Sequence, residues 1–139
     1  MNKKEMESKF LEMDQSEYMN KEQLSYFKFL LEKKYDLNTS RIAKLKKEID
    51  ELDNNGKTDQ IDQANTLNDL SMLSRETTRL NNENKQIKSA LERIKNNEYG
   101  YCINTGEEIG LKRLFIAPET PYCIEELQRI EIVNKQYGK

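Results

Sequence analysis

The sequence predicts a mainly α-helical protein: a long antiparallel helical hairpin, a small zinc-ribbon-like unit that lacks some of its metal ligands, and a C-terminal helix. Three observations predict this. Residues 1–99 contain no Pro and a single Gly, Gly56, whereas residues 100–139 contain four Gly and both Pro. Apolar residues recur at alternating steps of four and three on both sides of Gly56. Charged and hydrophobic residues each make up 35% of the 139 residues, which suits solvated helices better than a large core.

The first long helix is expected to begin near Lys21, because Asn20 and Gln23 have the spacing of a capping box. We expect residues 1–20 to pack on the base of the hairpin or to stay mobile. The helix then shows a sustained 3.5-residue period typical of a coiled-coil seam. Its seam positions are Leu24, Lys28, Leu31, Tyr35, Asn38, Ile42, Leu45, Ile49 and Leu52.

Residues 53–57 have the composition of a turn, so two helices of the range 21–98 are expected to pair around a tip at 53–64. The predicted pairing joins residues 21–52 to residues 61–96. Polar seam positions such as Asn38 and Asn84 are interpreted as fixing the register. The second set of seam positions is Thr66, Leu70, Leu73, Thr77, Leu80, Asn84, Ile87, Leu91 and Ile94.

The predicted tip is acidic, with six acids and one base between Glu48 and Asp62. Asp59 and Asp62, three residues apart, would share one helix face. Acids in the first turn of a helix are favoured by its dipole alone, so this pair has a structural explanation as well as a functional one.

Composition excludes several classes of function. The net charge of −2 argues against general nucleic-acid binding, which needs an excess of cations. The chain has no His, which excludes His-based catalysis and His-containing metal sites, and two Cys are too few for a disulfide framework. No apolar run is long enough for a membrane span, and the first residues do not resemble a secretory signal, so a cytoplasmic protein is expected.

Residues 99–139 form the predicted small unit, in which Cys102-x2-Thr105 and Cys123-x2-Glu126 have the spacing of two metal knuckles. A structural zinc site needs four soft ligands, and Thr105 and Glu126 are poor replacements. One interpretation is a Cys₂Glu zinc site with a water; the other is a metal-free relic held by packing. Residues 113–121 are expected to be extended or looped, and a last helix is expected over 122–136. The predicted core is Ile103, Ile109, Leu111, Leu114, Phe115, Ile116, Tyr122 and Leu127.

Over about residues 18–138 the chain resembles the DksA/TraR family of bacterial transcription factors. The resemblance includes the tip motif DxxDxA, here Asp59 to Ala64, and begins with Tyr18-Met19-Asn20, Gln23-Leu24 and Phe27. The C-terminal matches are Tyr99-Gly100-Tyr101-Cys102, Gly106, Glu108-Ile109-Gly110, Arg113-Leu114, Ala117-Pro118 and Cys123-Ile124.

The resemblance implies a non-enzymatic regulator that binds bacterial RNA polymerase directly and does not bind specific DNA sequences. Family members insert the coiled coil into the secondary channel, place the acidic tip near the active site and alter open-complex stability. Asp59, Asp62 and Ala64 would be the tip residues. Many members act with the alarmone ppGpp in the stringent response.

Two departures from the family pattern bear on cofactors. Thr105 and Glu126 replace zinc-binding Cys, so the chain resembles the zinc-independent variants. The basic residues that contact ppGpp in well-known members would fall at about Gln86, Ala117 and Leu127, none of which is basic. No cofactor is therefore predicted. Arg79, Lys85, Lys88 and Arg113 are candidate contacts to polymerase, although a solvated charged face also explains them.

Two other functions fit the same sequence. A structural coiled-coil adaptor would use its apolar faces to dimerise, whereas the Gly-containing turn favours an intramolecular hairpin and a monomer. A transcript-cleavage-type factor would use the same channel and also carries an acidic tip. A size measurement tests the first alternative, and a cleavage assay tests the second.

Overall fold

The computed structural model describes residues 17–55 and 60–136, together with residues 4, 5, 8 and 11. Its helices are α1 (Lys21–Asn55), α2 (Gln60–Lys95), α3 (Leu111–Ile116) and α4 (Ile124–Gln136). The described residues contain no strand, only an isolated antiparallel bridge between Tyr101 and Glu108. The prediction of a mainly helical protein with a long hairpin is therefore confirmed. No helix in the described ranges is long and apolar enough to cross a membrane.

Helix α1 begins where the capping box predicts. The side-chain oxygen of Asn20 accepts a 2.8 Å hydrogen bond from the Gln23 backbone N–H. In return, the Gln23 side-chain oxygen accepts a 2.5 Å bond from the Met19 N–H. Two backbone donors that the helix itself leaves unpaired are thereby satisfied, which fixes the start of α1.

Helix α2 ends in a Schellman motif. The N–H of Asn97 donates to the Ile94 carbonyl at 3.2 Å, and the N–H of Glu98 donates to the Arg93 carbonyl at 2.8 Å. Asn97 has a φ of 61°, the left-handed conformation that this motif requires. Asn tolerates that conformation better than most residues, so its position explains why α2 stops before the knuckles.

The chain divides into two compact units. The hairpin unit, Lys33–Lys85, contains the larger parts of α1 and α2, which lie side by side and antiparallel. Its apolar core consists of Ile42, Leu45 and Leu80, against which Leu73 packs. Beside this core, the Asn38 amide donates 3.0 Å bonds to Asn84 Oδ1 and Glu83 Oε1. Within this unit, every predicted seam position is buried or half-buried.

The knuckle unit comprises the described parts of Met1–Glu32 and Gln86–Lys139. Phe27, Leu31, Ile87, Tyr99 and Leu114 are each at most 1% exposed and form the centre of its core. The Phe27 ring lies 5.8 Å from that of Tyr99. The predicted seam is wrong at Lys28, which is exposed, because the neighbouring Phe27 takes the buried position.

The region after Gly110 differs from the prediction. Residues 111–116 form helix α3 rather than an extended segment. Leu111 and Leu114 face the core, but Ile116 is 77% exposed and Ile103 is 54% exposed, so neither isoleucine is the core residue expected. A six-residue helix presents one buried stripe, and Ile116 falls outside it.

Candidate functional site

The two knuckle segments are joined by backbone hydrogen bonds. In the first segment, the Cys102 N–H donates to the Glu107 carbonyl at 2.7 Å, and the Gly106 N–H donates to the Cys102 carbonyl at 2.9 Å. Gly106 has a φ of 77°, which its turn requires and which glycine adopts without strain. The Ile103 N–H donates to the Pro121 carbonyl at 2.9 Å, which holds the first knuckle against the second.

The turns bring Cys102, Thr105 and Cys123 together. Both cysteines are free thiols, each 2% exposed. The Thr105 hydroxyl lies 3.9 Å from Cys123 Sγ. Burial raises the pKa of Cys102, but hydrogen bonds from Thr105 and from nearby backbone N–H groups outweigh it and lower the pKa to about 7.

Glu126, in the fourth knuckle position, is engaged elsewhere. Its Oε1 accepts hydrogen bonds from Arg129 Nε at 2.9 Å and Nη2 at 2.5 Å, and from Asn104 Nδ2 at 3.3 Å. The Arg129 bonds, aided by Asn104, lower the pKa of Glu126. Because Asn104 belongs to the first knuckle and Glu126 to the second, this carboxylate bridges the two segments without a metal.

The knuckle residues do not fit a structural zinc ion. Such an ion takes four soft or imidazole ligands in a closed tetrahedral shell. Here two positions hold thiols, Thr105 offers a neutral hydroxyl, and the carboxylate of Glu126 is neutralised by Arg129.

A different group of potential ligands lies beside the second knuckle. One donor atom each from Glu107, Cys123 and Glu125 lie within 4.8 Å of one another, and both glutamates are exposed. Sequence reasoning missed these glutamates because it placed the acidic ligand at Glu126, the position of the family cysteine. The position of Glu125, two residues after Cys123 in the sequence, was the one signal that could have indicated this group of ligands.

Tyr18 fastens the segment before α1 to the knuckle unit. Its hydroxyl donates to the Gly100 carbonyl at 2.6 Å and accepts from the Gly110 N–H at 3.0 Å. Its ring packs edge-on against Tyr101 at 5.6 Å. Burial is the largest cause of its raised pKa, so the phenol stays protonated and keeps its donor.

The predicted tip residues are only partly described. Asp59 and the side chain of Asp62 lie outside the described residues, although the backbone of Asp62 belongs to α2. Ala64 is exposed on α2. Four further acids are exposed in the last turns of α1, namely Glu48, Asp50, Glu51 and Asp53.

The candidate polymerase contacts differ in their exposure and in the contacts that the structure shows for them. Arg79 is 58% exposed in its side chain but pairs with Glu76 at 2.9 Å and with Glu83 at 3.4 Å. Lys85 and Lys88 are exposed on α2. Arg113 donates to the Tyr122 carbonyl at 3.0 Å and to Thr120 Oγ1 at 3.3 Å, which is an internal structural role.

The fold and the two knuckles together define a class of protein, in which a helical hairpin carries a zinc-finger-like unit. In this chain, two of the four knuckle positions hold cysteines. Residues 97–131 match the family described as prokaryotic dksA/traR C4-type zinc finger. The RNA polymerase-binding transcription factor DksA of Buchnera aphidicola is 33% identical over 120 residues, which cover 86% of this chain and 79% of the relative. The protein of the same name from Salmonella typhimurium is 30% identical over 126 residues, with the same coverage.

The solved structures agree with the sequence relatives. The transcription factor DksA2 from Pseudomonas aeruginosa superposes with a TM-score of 0.78 at 29% identity, covering 91% of this chain and 98% of that one. The chain therefore belongs to the DksA/TraR family.

Proposed function

We propose that this chain binds RNA polymerase and regulates transcription. The observation that carries the proposal is its similarity, over 86% of its length, to transcription factors named for binding RNA polymerase. The described residues add a two-helix hairpin with exposed acids at one end. The relatives are transcription factors, and the proposal gives this chain no catalytic step.

The proposed route of binding is the secondary channel of the polymerase. Each helix of the hairpin unit is about 10 Å across, so two helices fit a passage that excludes a globular domain. From Lys33 to Asn55, α1 has a length of about 35 Å at 1.5 Å rise per residue. We assign Asp59, Asp62 and Ala64 to the part that approaches the active site, where carboxylates attract cationic or metal-bearing groups and alter open-complex stability.

The proposed contacts outside the tip are Lys85 and Lys88, whose side chains are exposed, and Arg79. Arg113 is assigned a positioning role, since its guanidinium holds the loop before α4. The proposal includes no ppGpp requirement, because none of Gln86, Ala117 and Leu127 supplies a cation for the phosphates.

The test of the proposal combines affinity with open-complex lifetime. The wild-type chain is expected to co-purify with bacterial RNA polymerase and to shorten the lifetime of a promoter open complex. Asp62→Asn and Asp59→Asn are expected to abolish the regulation but to keep affinity and fold. Lys135→Gln, an exposed change on α4, is the control. Variants that still shorten the lifetime like the wild type contradict the role of the tip.

We also propose that the knuckle unit folds without zinc. Supporting this, the contact of Thr105 with Cys123 Sγ and the Asn104–Glu126 hydrogen bond link the two knuckles without an ion. Elemental analysis is expected to find no stoichiometric zinc, and a chelator is expected to leave the unfolding curve unchanged. About one zinc per chain, with loss of structure on chelation, contradicts the proposal.

A further inference from the structure

The hairpin unit carries a basic band that the proposed tip does not explain. Residues 41–47 of α1 include four cations and no acid. Arg75 of α2 lies at the same level, since Leu73 and Leu80 on either side of it pack with Ile42 and Leu45. We define the basic band as Arg41, Lys44, Lys46, Lys47 and Arg75, all of which are exposed.

The lysines of the basic band have no partner within the described part of the chain. The side chains of Lys44, Lys46 and Lys47 form no hydrogen bond or ion pair with any described residue. Some cations outside the band are paired, since Lys34 lies 3.5 Å from Glu83 and Arg129 binds Glu126. A concentration of unpaired cations in a chain of net charge −2 costs repulsion that a partner anion would relieve.

The charge changes sign immediately beyond the band. Residues 48–74 contain seven acids and one base, Lys57. From Lys44 to Asp50 the distance along the helix is about 9 Å, close to the screening length of about 8 Å in physiological salt. A partner surface that lies along the hairpin therefore meets a positive segment and a negative segment in succession.

This alternation separates two classes of anionic partner. A nucleic acid carries negative charge at every phosphate, so a strand lying along the hairpin would be attracted by the band and repelled by the acids beyond it. A protein surface has carboxylates and cations at discrete positions and matches both segments.

We propose that the basic band docks on an acidic protein surface of RNA polymerase, outside the region that the acidic end approaches. The inference rests on the proposed function and identifies the chemistry of the partner surface. Lys44, Lys46 and Lys47 supply the attraction, and the acids beyond them set the direction in which the hairpin enters.

The experiment compares two variants with equal loss of charge. In K44Q/K46Q/K47Q the band is neutralised with residues that keep helix propensity. In the control, K21Q/K112Q/K135Q, three exposed lysines outside the hairpin unit are replaced. Binding to purified bacterial RNA polymerase is measured at about 0.1 M and about 0.5 M salt, with helicity checked by circular dichroism.

The band variant is expected to bind about tenfold more weakly than wild type at low salt, and the difference is expected to shrink to less than about threefold at high salt. The control is expected to stay within about twofold of wild type. A band variant indistinguishable from the control, with wild type still binding, overturns this inference alone. A wild type that does not bind polymerase overturns the proposed function instead.

A second measurement decides the class of partner. Labelled single-stranded RNA and labelled duplex DNA are titrated with the wild-type chain without polymerase. Neither is expected to bind detectably. Binding that the K44Q/K46Q/K47Q variant loses would show that the band serves nucleic acid, and it would overturn the assignment to a protein surface.

Discussion

Replacing Asn38 by Leu tests what the buried amide pair contributes to the hairpin. Asn38 and Asn84 are each 8% exposed and face one another across the seam. The Asn38 amide donates to Asn84 Oδ1 and to Glu83 Oε1, and Asn84 Nδ2 lies 3.5 Å from Thr39 Oγ1. Removing one amide leaves the other buried in an apolar seam without its partner.

The expected cost follows from that unsatisfied group. Leaving a buried polar group without its partner costs about 1–3 kcal/mol, so Asn38→Leu is expected to destabilise the protein in spite of its larger apolar side chain. The double variant Asn38→Leu/Asn84→Leu removes both groups and is expected to be at least as stable as wild type. If Asn84→Leu carries a similar cost, the two changes should couple by about 2 kcal/mol or more in a double-mutant cycle.

Urea unfolding followed by far-ultraviolet circular dichroism gives the four free energies of unfolding. Ser40→Leu, an exposed change on the same helix, is the control and is expected to stay within about 0.5 kcal/mol of wild type. Light scattering should show the double variant self-associating more than wild type, since the amides exclude alternative pairings. Additive single effects, with coupling under about 0.5 kcal/mol, would refute the reasoning.

Three further predictions concern single positions. Leu45→Asp buries a charge at a fully buried position and is expected to cost about 3 kcal/mol in urea unfolding, whereas the exposed change Leu37→Asp should cost under about 0.5 kcal/mol. Because the pKa of Cys102 is lower in the folded protein than in the unfolded chain, ionisation of this thiol stabilises the fold. This contribution is complete above the pKa of the thiol in the unfolded chain, and it is lost as the pH falls through about 7. Wild type should therefore gain about 1–3 kcal/mol over Cys102→Ser between pH 7 and 9, and parallel stability profiles would contradict this. The lowered pKa of Glu126 stabilises the fold above the pKa that this carboxyl has in the unfolded chain, and the contribution is lost in acid. Glu126→Gln should therefore weaken the loss of stability at low pH. An unchanged dependence of stability on pH in acid would contradict this.

The parts of the fold that local patterns encode could be predicted from the sequence. The capping box at Asn20 and Gln23 and the seam through Leu45 and Leu80 depend on spacing within one helix, and both appear as expected. Helix α3 was not predicted because six residues are too few to show a helical period of apolar residues. Its N-cap residue, Gly110, makes no side-chain capping hydrogen bond. A start signal was therefore absent from the sequence.

The knuckles were predictable in position but not in chemistry. The Cys-x2 spacing predicts two knuckles, and in the structure the Thr105 hydroxyl of the first lies 3.9 Å from Cys123 Sγ of the second. That Glu126 turns to Arg129 follows the three-residue spacing of helical ion pairs, and this could have been recognised. Its contact with Asn104 joins residues 22 positions apart and has no local signal. The functional roles of Asp59 and Asp62 depend on the family resemblance and stay predictions.

The phenol of Tyr18 has a practical consequence for how this protein is shortened. One hydroxyl serves both the Gly100 carbonyl and the Gly110 N–H, 82 and 92 residues further along the chain. Gly100 lies so close to Met19 that a Cβ there would meet Met19 Cγ at 2.6 Å. An expression fragment that starts at Lys21 would lose both contacts although it keeps α1 to α4. Fragments for crystallisation or binding studies should therefore begin upstream of Tyr18, and a cut at the helix boundary would damage the opposite end of the chain.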